Sequence, residues 1–123
     1  MLLAGAAGAL ALAVAGCGGG SKGATSQGTR TKLGIKAAPD DKLKFNVDVL
    51  QARAGKVTIT MANPSQLTHS VAIEGNGVDV EGRVVGPGGT SMASAALKPG
   101  TYTYYCTVPG HRQAGMQGTL TVR

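Results

Sequence analysis

From about residue 40 onward, apolar side chains recur at every second position, and no helical spacing of any length appears. Leu43, Phe45, Val47 and Val49 alternate with Lys42, Lys44, Asn46 and Asp48. Val57, Ile59 and Met61 alternate with Lys56, Thr58 and Thr60. Successive side chains of a strand point to opposite faces, so such segments read as half-buried strands. His69, Val71 and Ile73 share one face, as do Tyr102, Tyr104 and Cys106, and then Met116, Gly118, Leu120 and Val122. Val78 and Val80 oppose Asp79 and Glu81, with Val84 and Val85 following, and Thr90 to Leu97 is a further extended run of small residues. Turn residues punctuate the pattern at Ala54-Gly55, Asn63-Pro64-Ser65, Gly75-Asn76-Gly77, Gly86-Pro87-Gly88-Gly89, Lys98-Pro99-Gly100 and Pro109-Gly110. About seven to eight short strands in roughly 84 residues predict an all-β chain folded as a β-sandwich. Tyr102 and Tyr104 are expected to point inward with Cys106 and Tyr105 outward, and the Tyr102 hydroxyl is expected to be tied to a nearby loop. A core this small is helped by a staple such as a metal.

The chemistry concentrates in Cys106-Thr107-Val108-Pro109-Gly110-His111-Arg112-Gln113-Ala114-Gly115-Met116, together with His69, the other of the chain's two histidines. Cys106 ends a strand on its inward face. Pro109-Gly110 turns the chain back, His111 follows on the loop, and Met116 returns at the start of the last strand. His69 lies just past the strand Val57–Asn63 and a turn. Taken singly, each has an ordinary reading: a core or surface histidine, an inert buried thiol, a turn residue, a core-filling methionine. Taken together they are two imidazoles, a thiolate and a thioether, the soft and borderline donors that copper prefers in both oxidation states. Zinc also binds such a set but favours a strong fourth ligand or water, so methionine there argues for copper. Met61 reads as strand core, and the pattern does not place Met92.

These segments resemble the cupredoxin family, the group of plastocyanin, azurin, rusticyanin and halocyanin-like proteins. The resemblance spans about residues 40–123 and rests on Gly55–Asn63, Thr68–Val71, Lys98–His111, Gly115-Met116 and Gly118–Val122. It implies a Greek-key β-sandwich holding one mononuclear type 1 (blue) copper on His69, Cys106, His111 and Met116. In plastocyanin and azurin the upstream histidine is followed by Asn. Here Ser70 stands there, as in rusticyanin-like members; it can still hydrogen-bond the loop after Cys106, but differently, which leaves the redox potential open, a higher value included. Thr107 matches the family's usual hydroxyl residue beside the cysteine. The Cys106-to-His111 spacing resembles azurin and rusticyanin, and the His111-to-Met116 spacing resembles plastocyanin and rusticyanin.

Residues 1–16, in MLLAGAAGALALAVAGC, are uncharged and apolar or small. That run is shorter than the about 20 residues a spanning helix needs and suits an export signal. Val14-Ala15-Gly16-Cys17 resembles the lipobox of bacterial lipoproteins, which implies cleavage before Cys17 and lipid attachment to it. A cleaved signal without lipid and a buried Ala/Leu helix are the alternatives, and no Lys or Arg precedes the apolar run. Residues 17–39, rich in Gly, Ser, Thr and Lys, read as a flexible tether, with Leu33 and Ile35 able to begin a strand. The domain is placed at 40–123. With Cys17 lipidated, Cys106 is the one free thiol, and a lone thiol outside the cytoplasm is best explained as a metal ligand. The net charge of +6 comes from cations scattered along the chain. In an exported protein this suggests attraction to anionic lipid headgroups or an acidic redox partner, not nucleic acid.

The expected function is therefore one-electron transport outside the cytoplasmic membrane, by a monomer anchored to the membrane's outer face. No enzymatic activity and no small-molecule substrate are expected. Copper nitrite reductases and multicopper oxidases need further histidines, and a binuclear copper domain needs a second nearby cysteine. Copper storage or delivery is the alternative function. Redox partners are expected to dock near His111, among Pro109, Gly110, Ala114, Gly115 and Met116, with Arg112 steering them. Tyr105 is a second candidate port.

Overall fold

The structure, a computed structural model, describes residues 29–123. The segment read as a signal, Cys17 and the first part of the tether lie outside the described residues. Eight strands follow one another: β1 (Thr29–Lys36), β2 (Val49–Ala52), β3 (Gly55–Ala62), β4 (Ala72–Gly75), β5 (Val78–Glu81), β6 (Thr90–Leu97), β7 (Gly100–Tyr105) and β8 (Gln117–Val122). They form a three-stranded sheet in the order β1-β3-β6 and a five-stranded sheet in the order β2-β8-β7-β4-β5. The chain changes sheet at most of its connections, so the two sheets close on one core. β1 pairs with β3, and β2 with β8, in parallel; the other pairs are antiparallel. The β4–β5 hairpin turns at Asn76-Gly77, both with positive φ (48° and 81°), the tight turn whose twist suits a two-residue hairpin.

The alternating residues meet between the sheets. Val57, Ile59 and Met61 of β3, with Ile35, Ala93 and Leu97, share one core cluster with Ile73, Tyr102, Tyr104, Leu120 and Val122 of the larger sheet and with Val71 just before β4. The Tyr102 hydroxyl donates to Lys98 O at 2.8 Å, as expected, and the Tyr104 hydroxyl to Val47 O at 2.7 Å. Gly118 faces Tyr104 across the β7–β8 ladder. A Cβ there would run into the tyrosine ring and lie 2.7 Å from Asp48 O, so only glycine lets the ring lie over the strand.

Two expectations about the N-terminal part are corrected. The folded unit begins earlier than residue 40, because β1 pairs with β3 from Thr29↔Gly55 to Lys36↔Ala62. This strand is inconspicuous in sequence because it is an edge: only Ile35 is fully buried, Thr31 and Leu33 are half-buried, and Lys32 and Lys36 face solvent. The alternation over residues 42–49 does not form a strand there. That stretch touches β-structure through one bridge, Ala37↔Phe45, and the strand β2 starts only at Val49. Phe45 still points inward, its ring centroid 5.6 Å from that of Tyr104. At β2 the phase then shifts by one residue, leaving Val49 exposed and Ala52 buried. Alternation recorded which side chains are covered, not which strand covers them.

Candidate metal centre

Three of the four expected ligands come from the loop that joins β7 to β8, and that loop is pinned by its own backbone. Cys106 N donates to Met116 O at 3.1 Å, and Met116 N to His111 O at 3.0 Å. His111 N donates to Val108 O, and Gly115 N to Arg112 O, each at 3.0 Å. The positive φ of Gly110 and Gly115, 85° and 117°, makes the two bends possible. His69 arrives from the connection between β3 and β4, held by a two-way bridge with Val85 at 3.0 and 2.8 Å. Asn63 fixes the loop before it. Its buried side chain donates to Leu67 O (2.7 Å) and Val85 O (3.2 Å) and accepts from Ser65 Oγ (2.6 Å). Sequence reasoning saw Asn63-Pro64-Ser65 only as a turn; the burial of its polar side chains is a tertiary property.

The donors converge. His69 Nδ1 and His111 Nδ1 lie 3.2 Å apart, and Cys106 Sγ lies 4.0 and 3.6 Å from them. A point equidistant from these three atoms lies about 2.1 Å from each, within the roughly 2.0–2.3 Å span of metal–nitrogen and metal–sulfur bonds. Met116 is fully buried in the same cluster as Cys106. His69, Cys106 and Met116 are sealed from solvent, and His111 is half-buried. Burial lowers the His69 pKa below its ordinary value, with His111 adding to the effect and Asp41 opposing it; burial likewise lowers that of His111. Burial thus favours the neutral form of both imidazoles, the form that binds a metal. His69 Nε2 is the one buried side-chain nitrogen or oxygen among the described residues without a hydrogen-bond partner. The atom that faces the other donors is Nδ1, so the lack of a partner at Nε2 does not bear on metal binding. Thiolate, two imidazoles and a buried thioether suit copper.

Ser70 and Thr107 join the two ligand-bearing segments, as expected. Thr107 N donates to Ser70 Oγ at 2.9 Å, the two hydroxyls meet at 2.6 Å, and Ser70 N donates to Cys106 Sγ at 3.4 Å. The surroundings of His111 need three corrections. Tyr105 is outside the core cluster, as expected of an outward residue, but it is not an exposed port: it is buried, its hydroxyl donates to Asp79, and burial with that bond pushes its pKa up to about 12. Arg112 is what covers it, with the guanidinium 4.1 Å above the ring centroid. Arg112 is also not a free steering charge, since it binds Glu74 and donates to Gln117. Met116 lies under the surface patch and not on it. Pro109, Gly110, Ala114 and Gly115 are exposed around His111, and Leu67 and Val84 add exposed apolar surface on the segments flanking His69.

Comparison with known proteins agrees with this geometry. The family model described as copper binding proteins, plastocyanin/azurin family, matches residues 32–123. Auracyanin-B of Chloroflexus aurantiacus is 75% identical over 24 residues, covering 20% of this chain and only 10% of that curated relative. A solved auracyanin B structure superposes with a TM-score of 0.67 at 26% identity, over 76% of this chain and 88% of that one. Dithionite-reduced auracyanin from the photosynthetic bacterium Roseiflexus castenholzii gives 0.68 at 24% identity, over 78% and 99%. Auracyanin A of Chloroflexus aurantiacus, titled a "blue" copper protein, gives 0.66 at 24% identity, over 77% and 100%. The last two speak to the fold alone.

Proposed function

This chain belongs to the plastocyanin/azurin family of copper-binding proteins, and from that premise we propose that it is a one-electron carrier working outside the cytoplasmic membrane. The observation that carries the proposal is the donor triangle of His69, His111 and Cys106, with Met116 buried in the same cluster as Cys106. Copper held there supplies a Cu(I)/Cu(II) couple. The chain supplies rigidity, because the ligand loop and the His69 segment are each fixed by backbone bonds, so the donors change position little between the two states. It also excludes water, since only His111 approaches the surface. Its imidazole edge, ringed by Pro109, Gly110, Ala114 and Gly115, is the port through which a redox partner exchanges the electron. Among the described residues this is the only group of three or more histidine, cysteine or carboxylate residues arranged for a metal, which favours a carrier over a multicopper enzyme.

We place the carrier at the outer face of the membrane, attached through lipid on Cys17. Lipidation is read from the mass of the N-terminal peptide of the mature protein. The copper-loaded protein is expected to be intensely blue and to cycle reversibly by one electron, and Cys106→Ser is expected to abolish the colour. A colourless copper complex sinks the carrier reading. Ready loss of Cu(I) to an acceptor protein would instead favour copper delivery.

A further inference from the structure

Cations that are far apart in sequence meet at one pole of the fold. Arg30 and Lys32 at the start of β1, Arg53 just after β2 and Arg123 just after β8 line a single open cleft of about 650 Å³. The topology explains the meeting. β1 and β2 are edge strands of opposite sheets, so they border the same open side of the sandwich. The pairings Thr29↔Gly55 and Ala52↔Val122 bring their ends to one level, and Arg123 N donates to Ala52 O at 3.0 Å. Lys56, opposite Arg30, and Lys98, in the turn from β6 to β7, add two further cations at that end. None of the described carboxylate side chains lines the cleft. The two side-chain ion pairs among the described residues, Lys42–Asp40 and Arg112–Glu74, use none of its four cations. Like charges gathered around open water repel one another, and an anion relieves that repulsion.

The pole is also where the chain enters the domain, because Thr29 lines the cleft. The copper donors lie at the other ends of β7 and β8, beyond the Tyr105↔Gln117 pair. We propose that the basic cleft is a docking site for the anionic phosphate headgroups of a lipid bilayer. The choice of lipid over an acidic protein rests on the membrane attachment proposed above. Residues 18–28 between Cys17 and the cleft reach at most about 40 Å when fully extended. The entry pole therefore stays within that distance of whatever holds Cys17. Docking there leaves His111 and the copper pole facing away from the bilayer, toward redox partners.

The test uses the full-length, copper-loaded protein and two kinds of vesicle, phosphatidylcholine alone and phosphatidylcholine with phosphatidylglycerol. Contributions from residues before the cleft are common to all variants. R30Q/K32Q/R53Q/R123Q is expected to lose about tenfold or more of the preference for anionic vesicles, an effect that fades as salt is added. K36Q/K42Q/K44Q/R83Q removes equal charge from the rest of the surface and is expected to keep most of that preference. Unchanged blue absorption shows that the variants are folded; should the fourfold cleft variant lose it, R30Q/K32Q on the edge strand repeats the measurement. Equal losses in the two sets, or none in the cleft set, overturn the proposal. So does a cleft variant that loses binding of inorganic phosphate, or slows reaction with an acidic redox protein, while keeping its vesicle preference. Failure of the lipid attachment itself is seen separately in the N-terminal mass, and failure of the carrier reading in the absorption.

Discussion

Ser70 touches three groups of the centre at once: the Thr107 hydroxyl, the Thr107 N–H and, through its own N–H, the Cys106 sulfur. Ser70→Ala keeps the backbone bond to sulfur and removes the other two. The Thr107 N–H then loses its partner in a half-buried place, which should cost about 1–3 kcal/mol in urea unfolding of the copper-free protein. Copper should still bind and colour the protein, because all four donors remain; a colourless S70A would mean that Ser70 does more than hold the loops. The four ligands were legible in the sequence, because two histidines and one cysteine within the domain leave few ways to build a site, whereas the tie was expected only from the family resemblance. The burial of Tyr105 was not legible. Alternation places it on the outer face of the sheet, and nothing local announces that Arg112, seven positions later, folds back over its ring. Asn63 escaped for a related reason: a polar turn residue looks the same in sequence whether its amide faces solvent or, as here, is itself buried against the Leu67 and Val85 carbonyls.

Among the elements, β1 is the one whose importance the sequence understated. An edge strand needs one covered face and tolerates cations on the other, so TRTKLGIK reads as tether while it supplies eight register positions to β3. Its anchor is Ile35, 2% exposed and packed in the main core. Ile35→Ala should therefore destabilise the domain by about 2–4 kcal/mol, as a core truncation does. A loss below about 0.5 kcal/mol in denaturant unfolding, the level of a surface substitution, would return residues 29–36 to the tether. The strands β3, β6, β7 and β8 were legible because each runs six to eight residues with one face on the core. The stretch from Lys42 to Asp48 carries the same alternation with only isolated bonds to its neighbours, among them Asn46 N to Lys36 O and Thr119 N to Asp48 O, and pattern alone does not separate those cases.

At the scale of the whole molecule, the copper centre and the basic cleft occupy opposite poles, and only the fold reveals this, since Arg30, Arg53 and Arg123 are widely spaced in the chain. The metal pole also couples binding to folding. In the unfolded chain both histidines titrate near their ordinary value of about 6.5, whereas burial lowers both pKa values in the fold. The folded protein then binds fewer protons than the unfolded one as the pH falls below about 6.5, so its stability is complete above that value and is lost on descending through the lowered values. Copper needs the same two nitrogens unprotonated and the Cys106 thiol ionised, and its binding to the fold adds up to about 2.7 kcal/mol at a hundredfold excess over its dissociation constant, reduced by any binding to the unfolded chain's thiol and imidazoles. The melting temperature of the copper-free protein should therefore fall between about pH 7 and pH 5. The copper-loaded curve should start higher and converge on the copper-free one as acid releases the metal. A copper-free melting temperature that stays level across that range would show that the imidazoles are as open to protons in the fold as in the unfolded chain. The sealed centre derived from the burial of His69 would then be wrong.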